Sequence, residues 1–364
     1  MKRLPLLATA LGLFGLLASS AQAQAQASLK LNGKPKIAFI YLGTISDGGW
    51  TGAQDRARLA MQKAFDQKIP YVENIPETTE KVEQTAELFL RRGYNVIIGG
   101  TYGYSDAFLA EARAHPDVAF INMAGATTAA NLESPYPRTY QGWYLAGLAA
   151  GSVTKTKTLG IIEGFPIPNV LWDVNAFALG ANAANPGTTV KVAFVNSWGD
   201  PVKEGQLSNA MIEQGADLVA TDMDSPAAIV QAERAGKNSI GYQNDMAAAA
   251  PKGILMSIVF YWDKMLVPTV QRIAAGTWTS GGTSLYGIKE GLLDITMPVR
   301  DVSPATAQKI AAVRDDMIAG KFSPFSGPIK AQDGTVKLPA GQQMSPDAMY
   351  KMDYLVEGVQ GSIK

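Results

Sequence analysis

From residue 36 onward the chain alternates short β-branched runs with stretches of helical spacing, and it does so in two successive series. Ile37 to Tyr41, Asn95 to Gly100 and Val118 to Met123 are runs of the first series. Leu159 to Glu163, Val190 to Val195, Leu218 to Ala220, Ser239 to Tyr242 and Ile254 to Phe260 make the second. Continuous apolar runs of this length suit strands buried on both faces, and parallel strands need helical crossovers between them. The alternation therefore predicts two α/β lobes, each a doubly wound parallel sheet with helices on both faces. Helices are expected over Pro76 to Arg92, Tyr144 to Thr154, Asn169 to Asn182, Lys264 to Ala275 and Pro304 to Ile318. Gly147 and Gly151, four apart in the Tyr144 segment, permit close helix packing.

Each series places loops at the carboxyl ends of its strands, where open α/β sheets bind ligands. The first such loop carries Gly43, Ser46, Asp47, Gly48 and Gly49 and runs into Trp50 at the first turn of a helix. A large ring beside glycines reads as a stacking platform, with a packing plug as the plainer alternative. Tyr102, Tyr104 and Asn122 follow the later strands of the first lobe. Phe165, Trp172, Trp198, Asp224 and Asp245 follow strands of the second. Two aromatic planes across a cleft suit a flat heterocycle, with polar groups at Ser46, Asp47, Asn122, Asp224 and Asp245 for its edge. Asp47 and Asp224 serve equally well as helix caps or turn residues.

With 364 residues, 47% of them hydrophobic, the chain exceeds one ordinary domain. Lys2 and Arg3 precede an apolar run from Leu4 to Leu17, then small residues and the alternating stretch Ala21 to Ala27. This is the pattern of a secretory signal peptide over residues 1–27, too short to span a bilayer, with cleavage expected near Gln24, Gln26 or Ser28. The chain has no cysteine, so lipid attachment through a thiol, disulfides and thiolate chemistry are all excluded. Export to the periplasm without a lipid anchor is the expectation, and no later segment approaches membrane-spanning length. Basic and acidic residues balance at 32 each, which gives no footprint for nucleic acid.

Catalysis finds little support. His115, the single histidine, sits at a helix end in an Ala-His-Pro-Asp turn, where a surface helix-terminal role accounts for it. One histidine and no cysteine leave no metal set, no EF-hand spacing occurs, and no glycine loop followed by GK[ST] cradles a phosphate. No cofactor and no metal are expected, and binding without turnover is the better reading.

Several stretches together resemble the basic membrane protein family, substrate-binding proteins of ABC transporters similar in fold to type I periplasmic binding proteins. They are Ala38 to Trp50, Gly142 to Gly151, Phe165 to Pro168, Asn196 to Trp198 with Asp200-Pro201, Thr221-Asp222 through Ser225-Pro226, and Lys321-Phe322 with Pro324 to Pro328. The resemblance runs from about Lys34 to the C-terminus. It implies two lobes joined by a hinge: residues 34–154 with about 262–290, and residues 155–261 with about 291–364. It implies that Trp50 and Trp198 clamp a purine base and that Asp245 binds ribose hydroxyls, or, for a free base, accepts from a ring or exocyclic N–H. It also implies an ABC permease and ATPase as partners. Nucleoside binders of the family carry an aspartate where this chain has Tyr41 and a lysine where it has Phe260. Two aromatic rings in place of sugar-holding charges point to a purine nucleobase such as adenine, guanine or hypoxanthine, or a related oxidised purine. A nucleoside-binding protein of the same class and a periplasmic ligand sensor are the alternatives. A sugar is more distant, because few amides and charges can be placed in the loops.

Overall fold

The structure, a computed structural model, describes residues 28–363 apart from 281, 283 and 298. The signal peptide expected over residues 1–27 lies outside the described residues. In chain order the first sheet contributes β1 (Ile37–Ile40), α1 (Trp50–Phe65), β2 (Tyr71–Val72), α2 (Thr79–Leu90), β3 (Val96–Gly99), α3 (Ser105–Ala114), β4 (Ala119–Asn122) and β5 (Leu132–Glu133). The short strand β6 (Tyr136–Pro137) and helix α4 (Thr139–Val153) lead out of it. The second sheet is built from β7 (Thr158–Glu163), α5 (Pro168–Ala184), β8 (Thr189–Phe194), α6 (Pro201–Glu213), β9 (Leu218–Thr221), α7 (Ala227–Arg234), β10 (Asn238–Gln243) and β11 (Ile254–Phe260). Then come α8 (Asp263–Ala274), β12 (Leu285–Tyr286), β13 (Leu293–Ile295), α9 (Pro304–Ile318), the hairpin β14 (Ile329–Lys330) and β15 (Val336–Leu338), α10 (Pro346–Met349) and β16 (Val359–Gln360).

Both sheets are doubly wound. The first has the order β2-β1-β3-β4-β5 with every pairing parallel. The second runs β13-β11-β10-β9-β7-β8-β16, so its parallel core β8-β7-β9-β10-β11 repeats the first sheet's order. Strand order reverses between β1 and β3 in one lobe and between β7 and β9 in the other, and these are the points where such sheets open a ligand crevice. β1, β3 and β4 are buried at every residue, as strands covered by helices on both faces must be. Antiparallel β13 closes one edge of the second sheet and β16 the other.

The chain passes between the sheets at Pro137 to Thr139, at Phe260 to Asp263 and at Tyr286 to Leu293. β6 and β12 pair in parallel beside these passages. α8 returns to pack on α1 of the first sheet, as expected for the Lys264 segment. One boundary differs from the sequence expectation: α4 does not end the first lobe. It packs on α5, α9, β11 and β13, so the division falls near residue 138 rather than 154. The reason lies in the glycines. A Cβ on Gly147 would stand 2.2 Å from the Phe177 carbonyl oxygen, and one on Gly151 would stand 2.4 Å from that of Ala181. The close approach that these residues permit is to α5 of the second lobe.

Candidate functional site

A cavity enclosing about 640 Å³ of empty space, its open mouth included, lies where the carboxyl ends of the two sheets meet. From the first lobe Leu42 follows β1, Thr101 and Tyr102 follow β3, Ala124 follows β4, and Trp50 opens α1. From the second come Trp198 after β8, Asp222 and Asp224 after β9, and Tyr242 and Gln243 at the end of β10. Asp173 reaches in from α5, and Tyr136 and Thr139 from the β6 crossing.

Trp50 borders the cavity and is fixed in place by its neighbours. Its Nε1–H donates to the Gly100 carbonyl at 2.6 Å, while Phe260 and Trp262 meet it nearly perpendicular at 6.0 and 5.6 Å between centroids. Trp198 is braced from behind by Phe165, with ring centroids 5.0 Å apart. Two indoles from opposite lobes thus border one space.

The lobes touch beside it. Asn244 donates from Nδ2 to the carbonyls of Gly48 and Gly49, both at 2.7 Å. A Cβ on Gly49 would lie 2.5 Å from the Cα and carbonyl oxygen of Asp224, so only glycine allows this approach. The backbone N–H of Trp50, at the N-terminus of α1, lies near the Asp224 carboxyl across the cleft and partly offsets the rise that burial causes.

Carboxyls dominate the polar lining. Asp173, Asp222 and Asp224 all border the cavity, and Glu163 lies fully buried at the end of β7 next to Asp222. Burial pushes all four carboxyls up from the ordinary range, Asp222 to about 7 and the other three well above normal. The proximity of Asp222 raises Glu163 and Asp173 further. Glu163 stands beside Asp222, and both of its carboxyl oxygens are buried without a hydrogen-bond partner. Asp173 is held by a relay in which Trp172 Nε1–H donates to Thr139 Oγ1 at 2.8 Å and the Thr139 hydroxyl donates to Asp173 at 2.6 Å. Among the described residues, no lysine, arginine or histidine borders the cavity.

Of the residues expected from sequence, Trp50, Tyr102, Trp198 and Asp224 border the cavity, with Tyr102 at the mouth and 63% exposed. The others lie elsewhere. Tyr41 is sealed in the first lobe, where its hydroxyl donates to Asp55, itself paired with Arg58 at 2.6 Å. Phe260 is buried and supports Trp50 from the side rather than facing the cavity. Ser46 is exposed and contacts only Thr44 among the hydrogen-bonding side chains described. Asp47 takes the capping role left open above, accepting from the backbone N–H groups of Gly49, Thr51 and Gly52. Tyr104 is buried, with its hydroxyl on the Ile75 carbonyl. Asn122 is buried beneath the β3 loop, its Oδ1 facing the Thr101 N–H at 3.5 Å. Phe165 stands behind Trp198, and Trp172 is buried among Tyr136, Tyr140 and Tyr350. Asp245 is exposed and caps its own turn through the Ala247 N–H; Gln243, two residues earlier, borders the cavity instead.

Sequence reasoning passed over Glu163, Asp173, Asp222, Tyr242 and Gln243. The signal existed for Asp173, a carboxylate inside the otherwise apolar helix around VLWDV, where burial without a reason is costly. Tyr136 and Thr139 carried none, because only the crossing brings them to the crevice. His115 lies outside the cavity lining, with Nε2 3.0 Å from Glu87 and 3.5 Å from Glu111 at the end of α3.

Comparison with known proteins agrees with this architecture. A purine-binding protein of Brucella abortus is 34% identical over 333 residues, covering 91% of this chain and 94% of its own length. A Haloferax volcanii protein, TsgA13, whose name ascribes to it glucose binding in an ABC transporter, is 33% identical over 334 residues, 90% of this chain and 80% of its own. Among solved structures, an ABC transporter solute-binding protein from Conexibacter woesei superposes with a TM-score of 0.66 at 20% identity. It covers 79% of this chain and 98% of that one, a likeness of fold. No helix among the described residues is long and apolar enough to cross a membrane. The model of the Bmp family, PnrA-like ABC transporter substrate-binding proteins, matches residues 34–323. The chain belongs to this family, and it is a substrate-binding protein of transport rather than an enzyme.

Proposed function

We propose that this protein captures a purine in the periplasm, between Trp50 and Trp198, and delivers it to the permease and ATPase of an ABC importer. The observation that carries the reading is the pair of indoles from opposite lobes bordering one cavity, joined by lobe contacts through Gly49 and Asn244. Stacking on each ring is worth about 1–3 kcal/mol, and a micromolar complex needs about 8, so the carboxyls and amides between the rings must contribute the rest. The purine-binding relative supports the ligand class. A free base is the preferred form. The rings of Tyr41 and Phe260 are packed away from the cavity, and no cation borders it to hold a sugar or phosphate. The preference against ribose thus rests on the lack of a lining cation among the described residues and not on a steric wall.

A monosaccharide is the second reading. The expectation against sugars rested on a shortage of charged and amide groups, and the cavity holds Asp173, Asp222, Asp224, Asn169 and Gln243 beside its aromatic rings. The glucose-ascribed relative favours it as well. Calorimetric titration of the ligand-stripped mature protein with adenine, guanine, hypoxanthine, adenosine, inosine and glucose decides. Free bases at least about tenfold tighter than nucleosides are expected, with Trp198→Ala losing about 1–3 kcal/mol of that binding. Nucleosides bound as well or better would overturn the free-base preference, and glucose binding without purine binding would replace the ligand class.

A further inference from the structure

Outside the cavity, α2 and α3 of the first lobe bring three metal-ligating side chains together. Glu111 and His115 are four apart at the end of α3 and share one face, and α2, which packs on α3, supplies Glu87. His115 Nε2 lies 3.0 Å from Glu87 Oε1 and 3.5 Å from Glu111 Oε2, and one ligand atom from each residue falls within 4.8 Å of the other two. Donors bound at about 2.1 Å to a tetrahedral zinc stand roughly 3.4 Å apart, close to the two spacings at His115. Glu111 is the informative member. It is 7% exposed, and its Oε2, on the side of His115, is buried without a hydrogen-bond partner among the described residues. His115 Nε2 carries at most one proton, and Glu87 Oε1 is better placed to take it. Glu87 and Glu83 bring further negative charge toward Glu111, opposed by His115. Arg91 meets the other oxygen of Glu87 at 3.4 Å, but its side chain is 79% exposed. A buried carboxylate oxygen left in this position is costly without a cation. The backbone beneath is fixed, since Asn131 Nδ2 donates to the carbonyls of Ala112, His115 and Val118 at 2.9, 3.0 and 2.8 Å.

We propose that Glu87, Glu111 and His115 form a site for a divalent transition cation of the zinc class, which clamps α2 to α3 in the first lobe. An imidazole nitrogen with two carboxylate oxygens suits zinc better than magnesium or calcium, which take oxygen ligands. Coordination uses the neutral ring with its proton on Nδ1, so that Nε2 turns its lone pair to the cation. The side chains of His115 and Glu87 are 32% and 33% exposed, which leaves room for a water as fourth ligand. The proposal departs from the expectation of no metal set, drawn from one histidine and no cysteine; the shared face of Glu111 and His115 is legible in the sequence, but the third ligand comes from another helix. None of the three residues borders the cavity, so the site is independent of the purine reading. A cation held there binds the folded lobe and stabilises it by linkage.

The test uses the untagged mature chain, treated with a chelator and titrated at neutral pH with zinc and, separately, with magnesium. Calorimetry reads the affinity, and nitrogen NMR follows the imidazole ring, whose signal is unambiguous because the chain has a single histidine. One equivalent of zinc bound at about micromolar affinity is expected, with the His115 ring signals moving and magnesium at least about tenfold weaker. Saturating zinc should raise the melting temperature by a few degrees. His115→Ala and Glu111→Gln are each expected to weaken zinc binding at least about tenfold and to abolish the rise in melting temperature. Zinc bound only at about millimolar concentration, ring signals unmoved by saturating zinc, or an affinity unchanged in both variants overturns the site. If Glu111→Gln fails to fold, the half-exposed His115→Ala and the wild-type ring signals still decide.

Discussion

Gly49 shows how one residue type governs the site. It precedes Trp50, and its missing Cβ lets the α1 N-terminus reach Asp224 and Gln243 of the other lobe. An added methyl would meet the Asp224 backbone at 2.5 Å, a distance that forces the lobes apart. Gly49→Ala is expected to leave the melting temperature nearly unchanged, since the residue belongs to neither lobe's core. Ligand affinity should drop about tenfold or more, roughly 1.4 kcal/mol, because closure is obstructed. Calorimetry with a parallel thermal melt checks this, and a wild-type affinity would mean that closure does not use this contact. Asp245 teaches the converse. It reads as a ligand acceptor because it follows a strand, yet the turn points it to solvent and Gln243 inward, a difference of two residues that no local pattern reveals.

At the scale of elements, the ends of β7, β9 and α5 converge on one buried acid cluster. Glu163 faces Asp222 and Asp173, and Tyr242 from β10 and Tyr136 from β6 stand close enough to feel the same charges. The carboxyls are raised in the folded state, so between the ordinary carboxylate range and about pH 7 the fold binds more protons than the unfolded chain. Stability therefore falls as pH rises through that window. The ligand-free protein is expected to be more stable near pH 5 than near pH 8, by a free energy on the order of a few kcal/mol at most, and so to melt at a higher temperature there. Asp222→Asn should flatten the difference; a higher melting temperature at pH 8 in the wild type would contradict the placement of the cluster. Fold-level elements were more legible than this chemistry. β11 and α9 match the ranges read from sequence and α3 was read only by its end at His115, whereas α6 and α7 were passed over.

At the scale of the molecule, two sheets of the same strand order meet at their switch points, and the chain passes between them beside the β6–β12 pair. Hinge motion about such passages would open and close the cleft. Small-angle scattering of the ligand-stripped protein is expected to show a smaller radius of gyration once a binding purine is added. Asn244→Ala, which removes the bonds to Gly48 and Gly49, should need more ligand to reach the compact form. Identical scattering with and without saturating ligand would refute closure by lobe motion.

The sequence by itself determined the fold class and much of the strand and helix order, because buried parallel strands and their crossovers impose short-range periodicities that survive in one dimension. It also determined that Trp50 and Trp198 stand at strand ends. Only the tertiary structure decided which polar residues reach the cavity, since the direction of a side chain in a loop depends on turns, crossings and the packing of the opposite lobe. It placed α4 with the second lobe through glycine contacts to α5, and it turned Tyr41 and Phe260 into support. It brought Asp173, Asp222 and Glu163, from segments far apart in the chain, into one cluster whose shared burial, rather than any motif, gives the cleft its acidic character.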